Sequence, residues 1–233
     1  MKSRNMSLFL LLAFCSVGQA LSPATSMTPV PRAGLCITEG DMTEGSANTL
    51  SVDVPKMRAF VTGLTLQEVE ARFKYLGSST ESIPLGSGAM RRQIGLKLRA
   101  QDACNLVYAM WRIEPENELV VSVKSNPGMT RSAECGNRGY HNIKPARTGK
   151  LPKIVTGKTY TLRAILNHSK LRVYANNQMV WEGDLGAAAL AFDGPVGLRT
   201  DNGRFEFELF AALPGSGQVG ASAVCRGGTN EDE

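Results

Sequence analysis

The sequence predicts an all-β protein, a two-sheet antiparallel β-sandwich of jelly-roll kind. Three observations lead there. Apolar and polar residues alternate with a period of two along most of the chain, which places one set of side chains on each face of a pleated strand. Glycine, asparagine and proline turns interrupt the alternation at short intervals. Helical periodicity is nearly absent. Roughly ten or more short strands linked in this way bury their apolar faces by stacking one sheet on another.

The rhythm is clearest between residues 158 and 211. Tyr160, Leu162, Ala164 and Leu166 alternate with Thr161 and Arg163, and Leu171, Val173 and Ala175 with Arg172 and Tyr174. Asn167-His168-Ser169 is a polar break between them. Asn176-Asn177 can take the positive φ that a tight hairpin needs, and it separates KLRVYA from QMVWEG. Phe205, Phe207, Leu209 and Ala211 alternate with Arg204, Glu206 and Glu208 in a last strand.

Earlier in the chain, residues 57–61 form a first strand, and 67–76 a second with Val69, Ala71, Phe73 and Tyr75 facing in. A Ser-, Gly- and Thr-rich loop covers 77–88. Residues 92–100 set Ile94, Leu96, Leu98 and Ala100 against Gln93, Gly95, Lys97 and Arg99. Residues 105–113 set Val107, Ala109, Trp111 and Ile113 against Leu106, Tyr108, Met110 and Arg112. Pro115-Glu116-Asn117 turns the chain into a strand over 118–124, and loops follow at 126–128 and 135–139. The three consecutive alanines in 185–192 invite the one short helix.

The first 20 residues carry Lys2 and Arg4, an apolar core over 6–14, and small residues at Gly18 and Ala20. That is the pattern of a secretory signal peptide cut after Ala20, with an apolar run too short to span a bilayer. The expected product is exported to the periplasm or the extracellular space, without a membrane span. Removing Lys2 and Arg4 leaves 24 basic residues against 21 acidic ones, a net charge of +3. Such a mild, unclustered excess is no nucleic-acid footprint. Residues 21–45 are expected to form a flexible N-terminal segment, 46–213 the sandwich domain and 214–233 a flexible C-terminal tail.

Cys15 leaves with the signal peptide, so four cysteines remain. An even count in an exported chain argues for disulfides, and four cysteines allow three pairings. Cys104–Cys135 would tie adjacent strand and loop segments, and Cys36–Cys225 would pin the two termini together. No CxxC is present and His141 and His168 lie far apart, which argues against a zinc site.

The order TYTLRAIL, KLRVYANNQMVWEG, GPVGLRTDNGRFEFELF resembles the C-terminal half of the concanavalin A-like lectin/glucanase superfamily, nearest to laminin G-like modules and to the 3-keto-disaccharide hydrolase domain. QEVEARFKYLG fits their entry strand, so the likeness extends over about 54–211. It implies fold more than function. The middle block, RRQIGLKLRAQDACNLVYAMWRIEP with SNPGMTRSAECGNRGYHN, resembles uncharacterised bacterial exported proteins, from which no catalytic residue carries over.

By that resemblance a sheet face and its rim bind glycans. If the strands over 92–100, 105–113 and 118–124 are neighbours, their outward phase gathers Lys97, Arg99, Tyr108, Arg112, Ser122 and Lys124. The cations would suit an anionic sugar, with Arg99 or Arg112 bidentate to a carboxylate or sulfate and Tyr108 stacked on a ring. Tyr140, beside the Cys104–Cys135 loop, is a further candidate. A solvated face whose cations blunt aggregation is the competing account.

Glu114, Glu116 and Glu118 imitate the carboxylate strand of jelly-roll glucanases, but Pro115 and Asn117 make this segment a turn. Asp193, Asp201 and Asn202 have oxygens for calcium, as rim loops of laminin G-like modules sometimes do. Their spacing matches no dedicated calcium loop, and Asp201-Asn202-Gly203 is more simply a turn; no cofactor is expected. The expected function is non-catalytic binding of a carbohydrate or other cell-surface polymer. The rivals are a glycan-active hydrolase of the same fold and an adhesion module that meets another protein.

Overall fold

The computed structural model of the chain describes residues 27–45, 48–62 and 66–212. The expected signal peptide, the expected tail over 214–233, Cys15 and Cys225 lie outside the described residues.

Sixteen strands occur among the described residues: β1 (Met27–Pro29), β2 (Leu35–Glu39), β3 (Thr43–Glu44), β4 (Leu50–Val52), β5 (Lys56–Val61), β6 (Glu68–Ser78), β7 (Arg92–Leu98), β8 (Leu106–Glu114), β9 (Glu118–Lys124), β10 (Tyr140–Asn142), β11 (Arg147–Thr148), β12 (Thr159–Asn167), β13 (Lys170–Ala175), β14 (Gln178–Asp184), β15 (Gly197–Asp201) and β16 (Gly203–Ala212). They form two antiparallel sheets. The nine-stranded sheet runs β11-β14-β13-β12-β6-β16-β4-β3, with β1 also paired to β16. The seven-stranded sheet runs β10-β9-β8-β7-β15-β5-β2. This is the sandwich that the two-residue rhythm predicts.

The core lies between the sheets and is built from the apolar phase of each strand. Val69, Ala71 and Phe73 of β6 face Ile94, Leu96 and Leu98 of β7 and Val107, Ala109 and Trp111 of β8 across it. Trp111 joins the two layers: its ring meets Phe73 edge-on at 5.7 Å and Tyr160 at 5.9 Å. Its indole N–H donates to Asn117 Oδ1 at 3.0 Å, which ties the β8–β9 turn to the core. Fully burying a Phe-sized side chain stabilises by about 1.5–3 kcal/mol, and an edge-to-face ring pair adds ~1 kcal/mol.

The turns follow the local chemistry. Asn176 and Asn177 both take positive φ (48° and 63°) in the β13–β14 hairpin, and His168 (55°) turns β12 into β13. The alanine run becomes a single 3-10 turn, Ala187–Leu190. Cys104 and Cys135 form a disulfide with their Cα atoms 5.9 Å apart, joining the loop after β7 to the short helix α1 (Ser132–Cys135). Cys36 is buried and disulfide-bonded, and its expected partner, Cys225, lies outside the described residues.

The structure departs from the sequence expectation most clearly in two places. Residues 27–44, expected within a flexible segment, supply β1 and β3 to one sheet and β2 to the other. Val30, Leu35, Cys36 and Met42 are buried there, and strands of two to five residues are too short to display a period. The strand expected over 92–100 ends at Leu98, because Arg99 takes a positive φ of 47° and turns the chain out of the sheet.

Candidate functional site

The outer faces of the two sheets differ in kind. On the nine-stranded sheet the outward positions form cross-strand ion pairs in water: Arg72 with Glu208, Lys74 with Glu206, Arg172 with Glu182. Charges alternate in sign and balance. On the seven-stranded sheet many outward positions are buried although polar: Gln93, Lys97, Tyr108, Ser122, Lys124 and Asp201 all fall below one-tenth exposure.

Strand register lays this second face out in rows. One row runs Cys36, Phe60, Gly197, Lys97, Tyr108, Ser122 and Asn142 across β2, β5, β15, β7, β8, β9 and β10. The next places Arg58 opposite Arg199 and Arg199 opposite Gly95, with Met110 beyond. The third places Lys56, Asp201, Gln93 and Arg112 side by side. Every second residue of each strand contributes, so the same alternation that fills the core also composes this face.

Asp201 is the anchor. Its side chain has no exposed surface, and it accepts from Arg58 Nη2 at 2.6 Å, from Gln93 Nε2 at 2.5 Å and from Arg199 Nε at 2.8 Å. Burial would raise its pKa, but the Arg199 and Arg58 guanidiniums and the hydrogen bonds from Arg199 and Gln93 outweigh it and hold the carboxyl below its ordinary value. Arg58 also donates to the Met57 and Thr200 carbonyls.

Arg199 reaches from this anchor toward the aromatics. Its guanidinium lies 4.9 Å from the Tyr108 ring centroid, and its Nη1 donates to the Tyr140 hydroxyl at 3.3 Å. Gly95, opposite it, has no side chain to stand in the way. Tyr108 and Tyr140 stack at 6.0 Å with 21° between their planes. Lys124 closes the group, 5.2 Å from the Tyr140 centroid and bonded to the Ala103 carbonyl at 3.1 Å. Burial raises the Tyr108 phenol to about 12, Tyr140 adding to the effect and Arg199 opposing it.

Lys97 is the exception in this web. It is 6 % exposed, yet among the described residues its ammonium has no hydrogen bond and no ion pair; its one neighbour of note is the Phe60 ring at 6.0 Å, across Gly197. Burial first, then the Arg58 and Arg199 charges, push its pKa down to about 7 against a small opposing pull from Glu39. Arg112 bonds Glu118 through Nη1, while its buried Nε has no partner among the described residues.

Of the candidates drawn from the sequence, Lys97, Tyr108, Arg112, Ser122, Lys124 and Tyr140 therefore share one face. Arg99 does not join them. Beyond the end of β7 its guanidinium donates to the carbonyls of Ala189, Phe192 and His168, which makes it a brace for the 3-10 turn. Sequence reasoning missed Arg58 and Arg199, and read Asp201 only as a turn residue or a calcium oxygen, whereas it ends strand β15 on this face. Each stands on the outward phase of its strand, but β5 and β15 meet β7 only through pairings of residues about a hundred or more positions apart, such as Arg58 with Asp201 (143) and Gln93 with Asp201 (108).

Other carboxylates are engaged elsewhere. Glu114 accepts from Tyr75 at 3.0 Å and pairs with Arg92, while Glu118 pairs with Arg112, so the E-x-E-x-E run is divided between ion pairs. Asn202 holds the loop before β7, bonding Ile83 through both backbone groups and the Arg91 carbonyl. Asp193 accepts from the Gly194 N–H. Among the described residues no three His, Cys, Asp or Glu side chains are grouped to hold a metal ion, and no helix is long and apolar enough to cross a membrane. A separate cleft of about 400 Å³ opens at the sandwich edge between β9 and β14, with Leu119, Ile143, Leu151, Val180 and Trp181 in its walls.

No protein-family model matches the sequence, and no curated protein is similar to it in sequence. Solved structures resemble its fold to differing degrees. The carbohydrate-binding module CBM66 from Bacillus subtilis superposes with a TM-score of 0.52 at 13% identity, over 75% of this chain and 91% of that one. A presumed glycosyl hydrolase from Parabacteroides distasonis gives 0.49 at 11% identity, over 81% and 100% of the two chains. A tetrameric galectin from the sponge Cinachyrella sp. gives 0.41 at 14%, over 68% and 100%. The first likeness shows a β-sandwich of the type found in that module.

Proposed function

We propose that this protein is an exported, non-catalytic carbohydrate-binding β-sandwich whose ligand lies on the outer face of the seven-stranded sheet. The observation that carries the reading is the cluster of Arg199, Tyr108, Tyr140, Lys124 and Lys97, in which Tyr108, Lys124 and Lys97 are buried and Arg199 is held by Asp201. The half-buried Tyr140 ring, stacked on the buried Tyr108, offers an apolar surface to a sugar's C–H face, and charged donors bond its hydroxyls in a setting where water competes less. Pre-organisation matters for weak, polar ligands, because side chains already ordered lose little entropy on binding. The likeness to a module named for carbohydrate binding agrees with this reading.

The non-catalytic part rests on the carboxylates. A glycosidase uses two, one protonated as acid and one free as base or nucleophile, about 5–10 Å apart. On this face Asp201 is locked in a low-pKa state by two guanidiniums, a poor proton donor, and Glu118 is paired with Arg112. Export agrees with the signal-peptide pattern and with the Cys104–Cys135 disulfide.

The test is a glycan array followed by titration calorimetry on the mature chain. Binding is expected, and Tyr140→Ala and Lys124→Ala should each weaken it at least tenfold without changing the far-ultraviolet spectrum. A folded protein that binds no glycan, or whose binding both substitutions leave intact, overturns the proposal.

A further inference from the structure

On the basis of the binding surface just proposed, we infer that the ligand is an acidic saccharide, its carboxylate or sulfate received by the Lys97 ammonium beside Arg58 and Arg199. Two independent features of the face lead there. The first is its charge: Lys56, Arg58, Lys97, Arg112, Lys124 and Arg199 stand outward, against Asp201, Glu118 and Glu39. Asp201 has no exposed surface and its oxygens already receive donors from three residues, so it has little capacity left for Lys97. Ion pairs on the opposite sheet balance; here cations are in excess.

The second is that a donor stands ready with nothing to donate to. A buried ammonium ordinarily finds an acceptor, because an unmet charge in a low-dielectric setting costs several kcal/mol. Lys124 follows that rule through the Ala103 carbonyl. Lys97 has no protein acceptor among the described residues, its ammonium keeping only a little contact with solvent, and the Nε of Arg112 on the same face is buried without a partner. A neutral sugar hydroxyl would satisfy hydrogen bonding at Lys97 but leave its charge beside two guanidiniums. An anion satisfies both.

The charged and titratable groups that face Lys97 are Arg58 from β5, Arg199 from β15, Glu39 from β2 and Tyr108 from β8. In the free protein burial first, and then the charges of Arg58 and Arg199, depress the lysine's proton affinity, so near pH 8 it is mostly neutral. An anion placed against it reverses the balance and draws a proton in. Acidic-glycan binding is therefore coupled to protonation: tighter below about pH 7, weaker above, with proton uptake on binding at pH 8.

The probes are tri-galacturonate, its methyl ester with the charge removed, and a sulfated galactan oligosaccharide, each titrated calorimetrically at pH 6 and 8 in two buffers of different ionisation enthalpy. The expected result is preference for a charged probe over the methyl ester by tenfold or more, uptake approaching one proton at pH 8, and loss of both in Lys97→Met and Lys97→Gln. Binding of the sulfated probe alone identifies sulfate as the source of the charge and supports the inference equally. Equal affinity for the methyl ester, unaffected by Lys97→Met, overturns the inference while leaving carbohydrate binding intact. Failure of every probe and of every neutral glycan overturns both.

Discussion

The Arg199 guanidinium lies 4.9 Å from the Tyr108 ring centroid, two strands away, with Gly95 between them. Register therefore makes an arginine of β15 and a tyrosine of β8 neighbours, and a missing side chain on β7 lets them touch. An ideal Cβ on Gly95 would stand 2.3 Å from Met110 Sδ and 2.6 Å from the Ala109 carbonyl oxygen. Gly95→Val should thus force apart the β7–β8 pair and displace Arg199. The expected outcome is destabilisation of about 1–3 kcal/mol by denaturant unfolding, with glycan binding lost in whatever fraction stays folded.

Asp201→Asn isolates the anchor. Removing the one buried carboxylate of the face leaves Arg58 and Arg199 close together without their shared counter-charge. Breaking a buried pair in this way costs about 3–5 kcal/mol. Chemical denaturation should show a loss of that order. A change below about 1 kcal/mol would mean that water already satisfies the two guanidiniums.

Lys97 gives a pH dependence whose sign is fixed. Its pKa falls from the ordinary 10.5 to about 7 in the folded chain. The folded state then binds fewer protons than the unfolded state between those values, so unfolding free energy rises with pH across that window. The penalty is fully present below pH 7 and is relieved on the way to 10.5. Between pH 7 and 9 the ligand-free protein should gain about 2 kcal/mol, less any solvent relaxation at the site, and Lys97→Met should abolish most of the gain. Tyr108, raised to about 12, acts in the opposite sense only near pH 10 and above. A flat profile in the wild-type chain between pH 7 and 9 would contradict the burial of this amine.

The Cys104–Cys135 bridge closes a segment with a sequence separation of 31 residues. In the chain-entropy account its removal should cost about 3–4 kcal/mol. The double substitution Cys104→Ala with Cys135→Ala should lower the melting temperature and free the loop that carries Ala103, the acceptor for Lys124. Binding should weaken more than for a distant substitution of equal thermodynamic cost, which calorimetry at a temperature well below melting can measure.

The fold was legible because a period of two is a local property. Trp111 sits on the apolar phase of its own strand, and nothing outside 105–113 is needed to assign it to the core, where it is fully buried. The same logic assigns Lys97, Tyr108 and Lys124 to an outward face. It says nothing of what stands beside them, since Arg58, Arg199 and Asp201 arrive through pairings between strands far apart in the chain. Arg99 shows the other limit. Its position continues the alternation of β7, but a positive φ ends the strand one residue earlier, and the sidedness it would have had is lost. The short strands β1 to β3 escaped notice because two to five residues in a Pro- and Thr-rich stretch cannot establish a rhythm.

Between Asp201 at the end of β15 and Gly203 at the start of β16, the chain changes sheets in a single residue, Asn202. Inserting or deleting one residue within β15 would turn Asp201 inward and Thr200 outward, exchanging a carboxylate for a hydroxyl beneath two arginines. No repair could be made downstream, because β16 is paired along most of its length with β6. The protein can therefore drift in loop length almost anywhere on its rim, but its reading frame of faces is locked at this one crossing.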